Sequence, residues 1–266
     1  MSGQRRLAHR KSLKRRFPIL EFDPSRQAII EPGKAVRAVD VVRHCVVCFF
    51  REVIEKLQAA PGTREVARLK SEAGEDPLLE MEFHGKRLAV FHPGVGAPLA
   101  AASLEEVIAH GCTKFIACGS AGVLDREIAS GHIIVPTSAV RDEGTSYHYL
   151  PPGREVEPSP EGVAAIISTL ESHKCPYTTG KTWTTDAFYR ETPAKVALRR
   201  SEGCITVEME AAAFFAVARF RGVAFAAMLY GGDDASGLEW DPRQWDARTP
   251  ARERLFQLAA EACLLL

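Results

Sequence analysis

The sequence predicts an α/β fold, a sheet covered by helices on both faces, on three observations. Strand-like and helical segments alternate along the chain with short joints marked by Pro and Gly. Several strand-like runs, KFIACG and VAFAAMLYGG among them, are apolar on both faces, as strands buried under two layers are. The chain has 266 residues, 46% hydrophobic and 26% charged, which is ordinary globular composition and enough to bury a core without staples. No repeat, low-complexity segment or internal linker divides it, so residues 21–266 read as a single domain.

The elements follow in order. PILEFDPSRQAIIEPG offers short apolar runs broken by Pro and Gly. AVRAVDVVRHC has a helical period, with Val36, Val39 and Val41 or Val42 on one face. CVVCFF reads as a strand, and REVIEKLQAAPG as a helix or an extended link ending at Pro61-Gly62. LLEMEFHGKRLAVFHPG is a hairpin, two alternating strands about His84-Gly85-Lys86. AAASLEEVIAHG is an amphipathic helix stopped by Gly111, and KFIACG a buried strand. HIIVPTSAV is a further strand, and SPEGVAAIISTLESHK a helix opened by Ser159 and Pro160. CITVEMEAAAFFAVARFRG passes from strand to helix, VAFAAMLYGG is a continuous apolar strand, and RTPARERLFQLAAEACLLL closes the chain as a helix.

Net charge is formally zero but unevenly spread. Residues 1–16 hold seven Lys and Arg and no acid, leaving 27 basic residues against all 34 acidic ones in the remainder. Residues 1–20 therefore read as a basic, flexible N-terminal arm, and the acidic body disfavours nucleic acid as a partner. The arm lacks the apolar stretch of a secretion signal, and no apolar run reaches the ~18 residues of a membrane helix. Seven cysteines, an odd number set mostly in apolar contexts, read as reduced, buried thiols of a cytoplasmic protein. Cys45 and Cys48 form a C-x-x-C inside a strand pattern, with no second pair or His cluster to complete a metal site. HPGVGAP supplies only G-x-G at Gly94 and Gly96, which disfavours dinucleotide binding.

Four strings carry candidate chemistry. In VEMEAAAFF, Glu208, Met209 and Glu210 sit where a strand becomes a helix, at the sheet edge where side chains enter a crevice. Two acids beside a Met in an apolar run need hydrogen-bond donors if buried, and vicinal ribose hydroxyls are such donors. First-turn acids that complement the helix dipole would give the same string. LYGGDDASG ends a strand with Asp233 and Asp234, either of which could be a general acid with a pKa raised by burial, or part of a solvated turn. FHPGVGAP, between strand and helix, is a loop of backbone N–H donors, and TTDAFYRET gathers a carboxylate, two aromatics and an arginine suited to a planar base. In KFIACGSAGVLD the strand again runs into small, hydroxyl-bearing residues that can offer N–H groups to an anion.

Taken together, and in this order, PGKAVR, GVGAPLAAASLEEVIAHG, CGSAGVLD, GHIIVPTSAVRDEGTSYHYLPPG, TTDAFYRE, VEMEAAAFF and LYGGDD resemble the nucleoside phosphorylase superfamily, in its uridine phosphorylase-like branch. The resemblance spans roughly residues 30–235. It implies a three-layer α/β/α sandwich with a mixed central β-sheet, cleavage of nucleoside N-glycosidic bonds, and a homo-oligomer (dimer, trimer or hexamer) with shared sites. It implies no cofactor beyond inorganic phosphate as co-substrate.

By the same resemblance, Glu210 matches the ribose-binding glutamate and Met209 the methionine against the sugar, with Glu208 beside them. Phe188 matches the aromatic next to the base, and Gly119 and Ser120 the substrate-side glycine and hydroxyl. Asp233 stands where purine-cleaving members keep an aspartate and uridine phosphorylases an arginine. Thr192 and Ala194 replace the uracil-reading Gln and Arg, which favours a purine. For phosphate the matches are Gly33 and Arg37 in PGKAVR, Arg51 in FFREV and Ser120. Ala117 stands where the family has a further arginine. Loss of that bidentate cation keeps a water-using nucleosidase open as an alternative, as is a nucleoside-binding protein without catalysis. His9 is a family-analogy candidate for a 5′-hydroxyl contact.

Overall fold

The structure, a computed structural model, describes residues 13–244 and 249–266. Residues 1–12 of the basic arm, and His9 with them, lie outside the described residues. The described end of the arm makes a 3-10 turn at Pro18–Leu20 that packs on helix α4.

Ten strands form one mixed sheet among the described residues. They are β1 (His44–Cys48), β2 (Arg64–Ser71), β3 (Gly74–Phe83), β4 (Lys86–Phe91), β5 (Lys114–Val123), β6 (Ile133–Asp142), β7 (Glu155–Val156), β8 (Tyr177–Thr185), β9 (Cys204–Glu208) and β10 (Ala224–Asp234). The helices are α1 (Pro32–Ala35), α2 (Arg51–Gln58), α3 (Ala97–His110), α4 (Ser146–Tyr149), α5 (Pro160–Ser172), α6 (Pro193–Ser201), α7 (Ala211–Arg221) and α8 (Thr249–Cys263). The strand order is β2-β3-β4-β1-β5-β9-β8-β6-β10, and β10 also pairs parallel with β5, so the last five strands close on one another.

Period-two alternation divides the core. Along β1, Cys45 and Val47 join α3 and α7 in one layer, while Val46 and Cys48 join α5 and α8 in the other. Phe115 and Ala117 against Ile116 and Cys118 in β5, and Phe225 and Ala227 against Ala226 and Met228 in β10, repeat the division. This is the α/β/α arrangement the sequence predicts. It also puts Cys45 and Cys48 on opposite faces, so the C-x-x-C cannot close on one ion. At the β3–β4 turn His84 and Gly85 both have positive φ (49° and 74°), the conformation a two-residue hairpin demands.

Three expectations need correction. The helix expected over 35–45 is absent. Val36 is extended (φ −118°, ψ 154°), and the valines that follow lie along the end of α3, with the Val39 N–H donating to the His110 carbonyl at 3.2 Å. β-branched residues serve an anchored extended chain at least as well as a helix. Neither GSAG nor GGDD is a loop: β5 runs on to Val123 and β10 to Asp234, paired with each other through Ser120–Tyr230 and Ala121–Gly231. Strands β2 and β8 and helix α6 carry too few local signals to be read in advance.

Candidate active site

The two acids of VEMEAAAFF take different roles. Glu208 ends β9, and its carboxylate accepts from Thr184 Oγ1 (2.7 Å), Thr182 Oγ1 (3.3 Å) and the backbone N–H groups of Glu210 (2.7 Å) and Ala211 (2.6 Å). Those two N–H groups open α7, so Glu208 caps the helix from within the chain. Burial pushes its pKa up, and the hydrogen bonds from Thr184 and the backbone oppose that.

Glu210 occupies the N-cap position of α7 and is 7% exposed. Its Oε1 accepts from the N–H of Gly96 at 2.5 Å. Gly96 is itself the N-cap of α3, with φ 91°, a conformation that favours glycine. The N-cap residue of α7 is thereby tied to the N-cap of α3, while the N–H groups that open α7 go to Glu208. Burial first, and the neighbouring Glu208 charge second, push the Glu210 pKa up to about 8 against the Gly96 and Met209 N–H groups. Half-buried Met209 lies between the two acids in sequence. Asp186, whose charge adds to the rise in the Glu210 pKa, walls an open cleft of about 460 Å³ with Ala101 and Ala102 of α3, Gly144 and Thr145, and its Oδ2 accepts from Gly144 N–H at 2.8 Å.

Across β5 lies the second acid pair. Gly122 pairs with Val207 of β9, and a Cβ there would stand 3.4 Å from Asp233 Oδ2 and 3.0 Å from Val207 Cγ1. Asp233 is thus two strands from Glu208. Asp234 is committed elsewhere, in an ion pair with Arg243 at 2.5 Å and a turn with the N–H of Ser236 at 2.8 Å. Phe188 follows β8 on a 3-10 turn, half exposed, with the Tyr189 ring 4.1 Å away. The same turn carries Glu191, whose pKa burial, and then the charge of Asp233, push up to about 7.

The phosphate-side residues divide. Arg51 opens α2, directly after β1, and donates through Nη1 to Asp76 Oδ1 at 2.7 Å. Its Nη2 stands 3.4 Å from His92 Nδ1, which accepts the Gly94 N–H at 3.1 Å. Burial, and then the Arg51 charge, lower the His92 pKa, so the imidazole is neutral. Arg51 thereby reaches the same loop whose Gly96 holds Glu210. Ser120 is half-buried in β5. A Cβ at Gly119 would stand 3.0 Å from the Phe49 ring, which would have to give by a few tenths of an ångström to admit a side chain. Ala117 is buried in the α3–α7 layer.

Gly33 and Arg37 are not brought to this site within the chain. The Arg37 carbonyl lies 2.8 Å from His110 Nδ1 at the last residue of α3. The 14 residues of α3 separate that end from Gly96 by about 20 Å. The reason is topological. PGKAVR precedes β1 and meets the sheet at its amino edge, whereas FFREV leaves β1 at the carboxyl edge, where open α/β sheets bind ligands. Phe49, His92, Glu191 and Trp240, whose Nε1–H donates to Asp233 Oδ2, join the site without having been singled out, and Gly96 joins it after being named only as part of a G-x-G. The exit of the first strand was the signal for Phe49, and the N–H loop FHPGVGAP for His92 and Gly96.

Comparison with known proteins gives the family and the fold. A family model described as the phosphorylase superfamily matches residues 43–264. A guanosine phosphorylase of Halorubrum lacusprofundi is 29% identical over 59% of this chain, and the match spans 65% of that protein's length. A uridine phosphorylase of Treponema pallidum is 30% identical over 67% of this chain and 73% of its own. Among solved structures, a purine nucleoside phosphorylase of Toxoplasma gondii in complex with immucillin-H superposes with a TM-score of 0.71 at 21% identity, over 84% of this chain and 91% of that one, which shows the shared fold.

Proposed function

The chain belongs to the phosphorylase superfamily, and from that premise we propose that it cleaves the N-glycosidic bond of a nucleoside with inorganic phosphate, giving free base and ribose 1-phosphate. The observation that carries this is Glu210, a buried carboxyl group at the start of α7 held by the N–H of Gly96, the N-cap of α3. In the ionised state it accepts the ribose hydroxyls and sets negative charge beside the ribosyl cation that develops as the base departs. Met209 packs the sugar and Phe188 the base.

Asp233 is the group that stabilises the leaving base, a role that favours a purine over uracil. Phosphate approaches from Arg51 and Ser120, beside the loop whose Gly94 and Gly96 N–H groups serve His92 and Glu210, with no metal or organic cofactor in the scheme. The relatives' names, guanosine and uridine phosphorylase, support the nucleoside class. The working form is a homo-oligomer in the cytoplasm. Among the described residues no helix is long and apolar enough to cross a membrane.

Hydrolysis is the second reading. It is favoured by the Phe49 ring against Gly119 and by Ala117, which leave the floor of the anion site without a cation. Base release from adenosine, inosine, guanosine, uridine and methylthioadenosine, with and without phosphate, decides. Phosphate-dependent formation of ribose 1-phosphate supports phosphorolysis, and release that ignores phosphate supports hydrolysis. Release from none removes the enzymatic proposal.

A further inference from the structure

We propose that Trp240 is a positioning residue for Asp233 and supplies an aromatic face beside it, an inference that rests on the reading of Asp233 given above. Beyond β10 the chain turns back on itself. Asp234 and Asp241 exchange two backbone hydrogen bonds, N–H to carbonyl at 2.8 Å and 3.0 Å, closing residues 234–241 into a small antiparallel loop. Arg243 rivets that loop, with Nη2 on Asp234 Oδ2 at 2.5 Å and Nη1 on the Ile128 carbonyl at 2.8 Å.

One residue before each member of the Asp234–Asp241 bridge stand Asp233 and Trp240. Both residues flank the bridge, and the edge of the indole meets the acid: Trp240 Nε1–H donates to Asp233 Oδ2 at 2.6 Å. Burial does not account for this placement, since Trp240 is 60% exposed. An indole N–H tied to a carboxylate while the ring stays open is an arrangement that holds one polar group and offers a flat apolar surface. The bond occupies Oδ2 and fixes the carboxyl torsion, leaving Oδ1 to meet a polar edge of the leaving base. Phe188, on the turn that also carries Glu191, presents a second half-exposed ring. A planar heterocycle with hydrogen-bonding edges is the ligand class that two such rings and this acid fit.

The test uses the full chain, with three tryptophans at 183, 240 and 245. Indole N–H resonances of ¹⁵N-tryptophan-labelled protein are recorded for wild type, Trp240→Phe and Asp233→Asn. Asp233→Asn is expected to move the Trp240 signal and leave that of Trp183, which donates to Asp142 at 3.0 Å, in place. An unmoved Trp240 signal overturns the pairing. Guanosine and uridine with phosphate then give the kinetic readout. Trp240→Phe, which keeps the ring and loses the donor, lowers kcat about 10-fold or more with KM within about twofold, and Trp240→His restores part of it. Full activity in Trp240→Phe overturns the positioning role. If wild type releases base from neither nucleoside, the proposed function falls, and the indole signal alone decides whether Trp240 holds Asp233.

Discussion

The ribose side and the anion side of the site lie at one edge of the sheet but are built differently. On the ribose side, Glu208 has four donors and Glu210 is clamped where two helices begin. On the anion side, Phe49 covers Gly119, Ala117 faces the core, and Arg51 is already paired with Asp76. One half holds its carboxyl groups in place before any ligand arrives. The other rests on a single arginine that a phosphate would have to share with a carboxylate. On the proposed function, bond cleavage would be the robust part of the design, and the identity of the acceptor the adjustable part.

The largest effect falls on the robust half. Asp233→Ala lowers kcat by ~10²–10⁴ in the base-release assay if Asp233 assists the leaving base, and an unchanged rate removes it from the mechanism. Glu210→Gln, which keeps shape and loses charge, lowers kcat by about 10²–10³ with bound substrate saturating. On the adjustable half, Arg51→Ala raises the KM for phosphate about 10-fold to 100-fold, the worth of one charge-assisted hydrogen bond. Arg37→Ala leaves that KM in place. The reverse pattern would put phosphate at the other end of α3.

Smaller effects separate structure from catalysis on the ribose side. Glu208→Gln loses the charged cap of α7 and costs about 1–2 kcal/mol in thermal unfolding. Glu210 adds a pH dependence whose sign follows from its raised pKa. Its contribution is fully present below the ordinary value of 4.5 and is lost as pH rises through about 8, because the unfolded chain releases this proton first. The melting temperature of the ligand-free protein therefore falls between about pH 5 and pH 8.5. Glu210→Gln flattens that slope, and an unchanged slope would assign it to other groups.

The ribose side was legible in the sequence because its residues are contiguous. VEMEAAAFF contains the strand end, the cap and the proposed ligand group, and only their division of labour, Glu208 to the N–H groups of α7 and Glu210 to that of Gly96, needed coordinates. The anion side was less legible because it gathers residues from three separate strand exits. PGKAVR looks like a phosphate loop in isolation, yet it reaches the sheet at the wrong edge, and FFREV occupies the exit of β1 instead. Likewise GGDD resembles a solvated turn, and its two acids part company only through Arg243 and Trp240, nine residues beyond Asp234 and seven beyond Asp233.

The sequence by itself determined the α/β class, the two-faced burial of β1, β5 and β10, the family and the carboxylate at Glu210. Each of these is written in local periodicity or in a contiguous string, where neighbours in sequence are neighbours in space. Tertiary structure decided the closure of β10 onto β5, the end of α3 at which Arg37 lies, the aromatic cover over Gly119 and the indole on Asp233. Those depend on which strand exits share an edge, and chain direction through the sheet sets that, not the residues at any one exit.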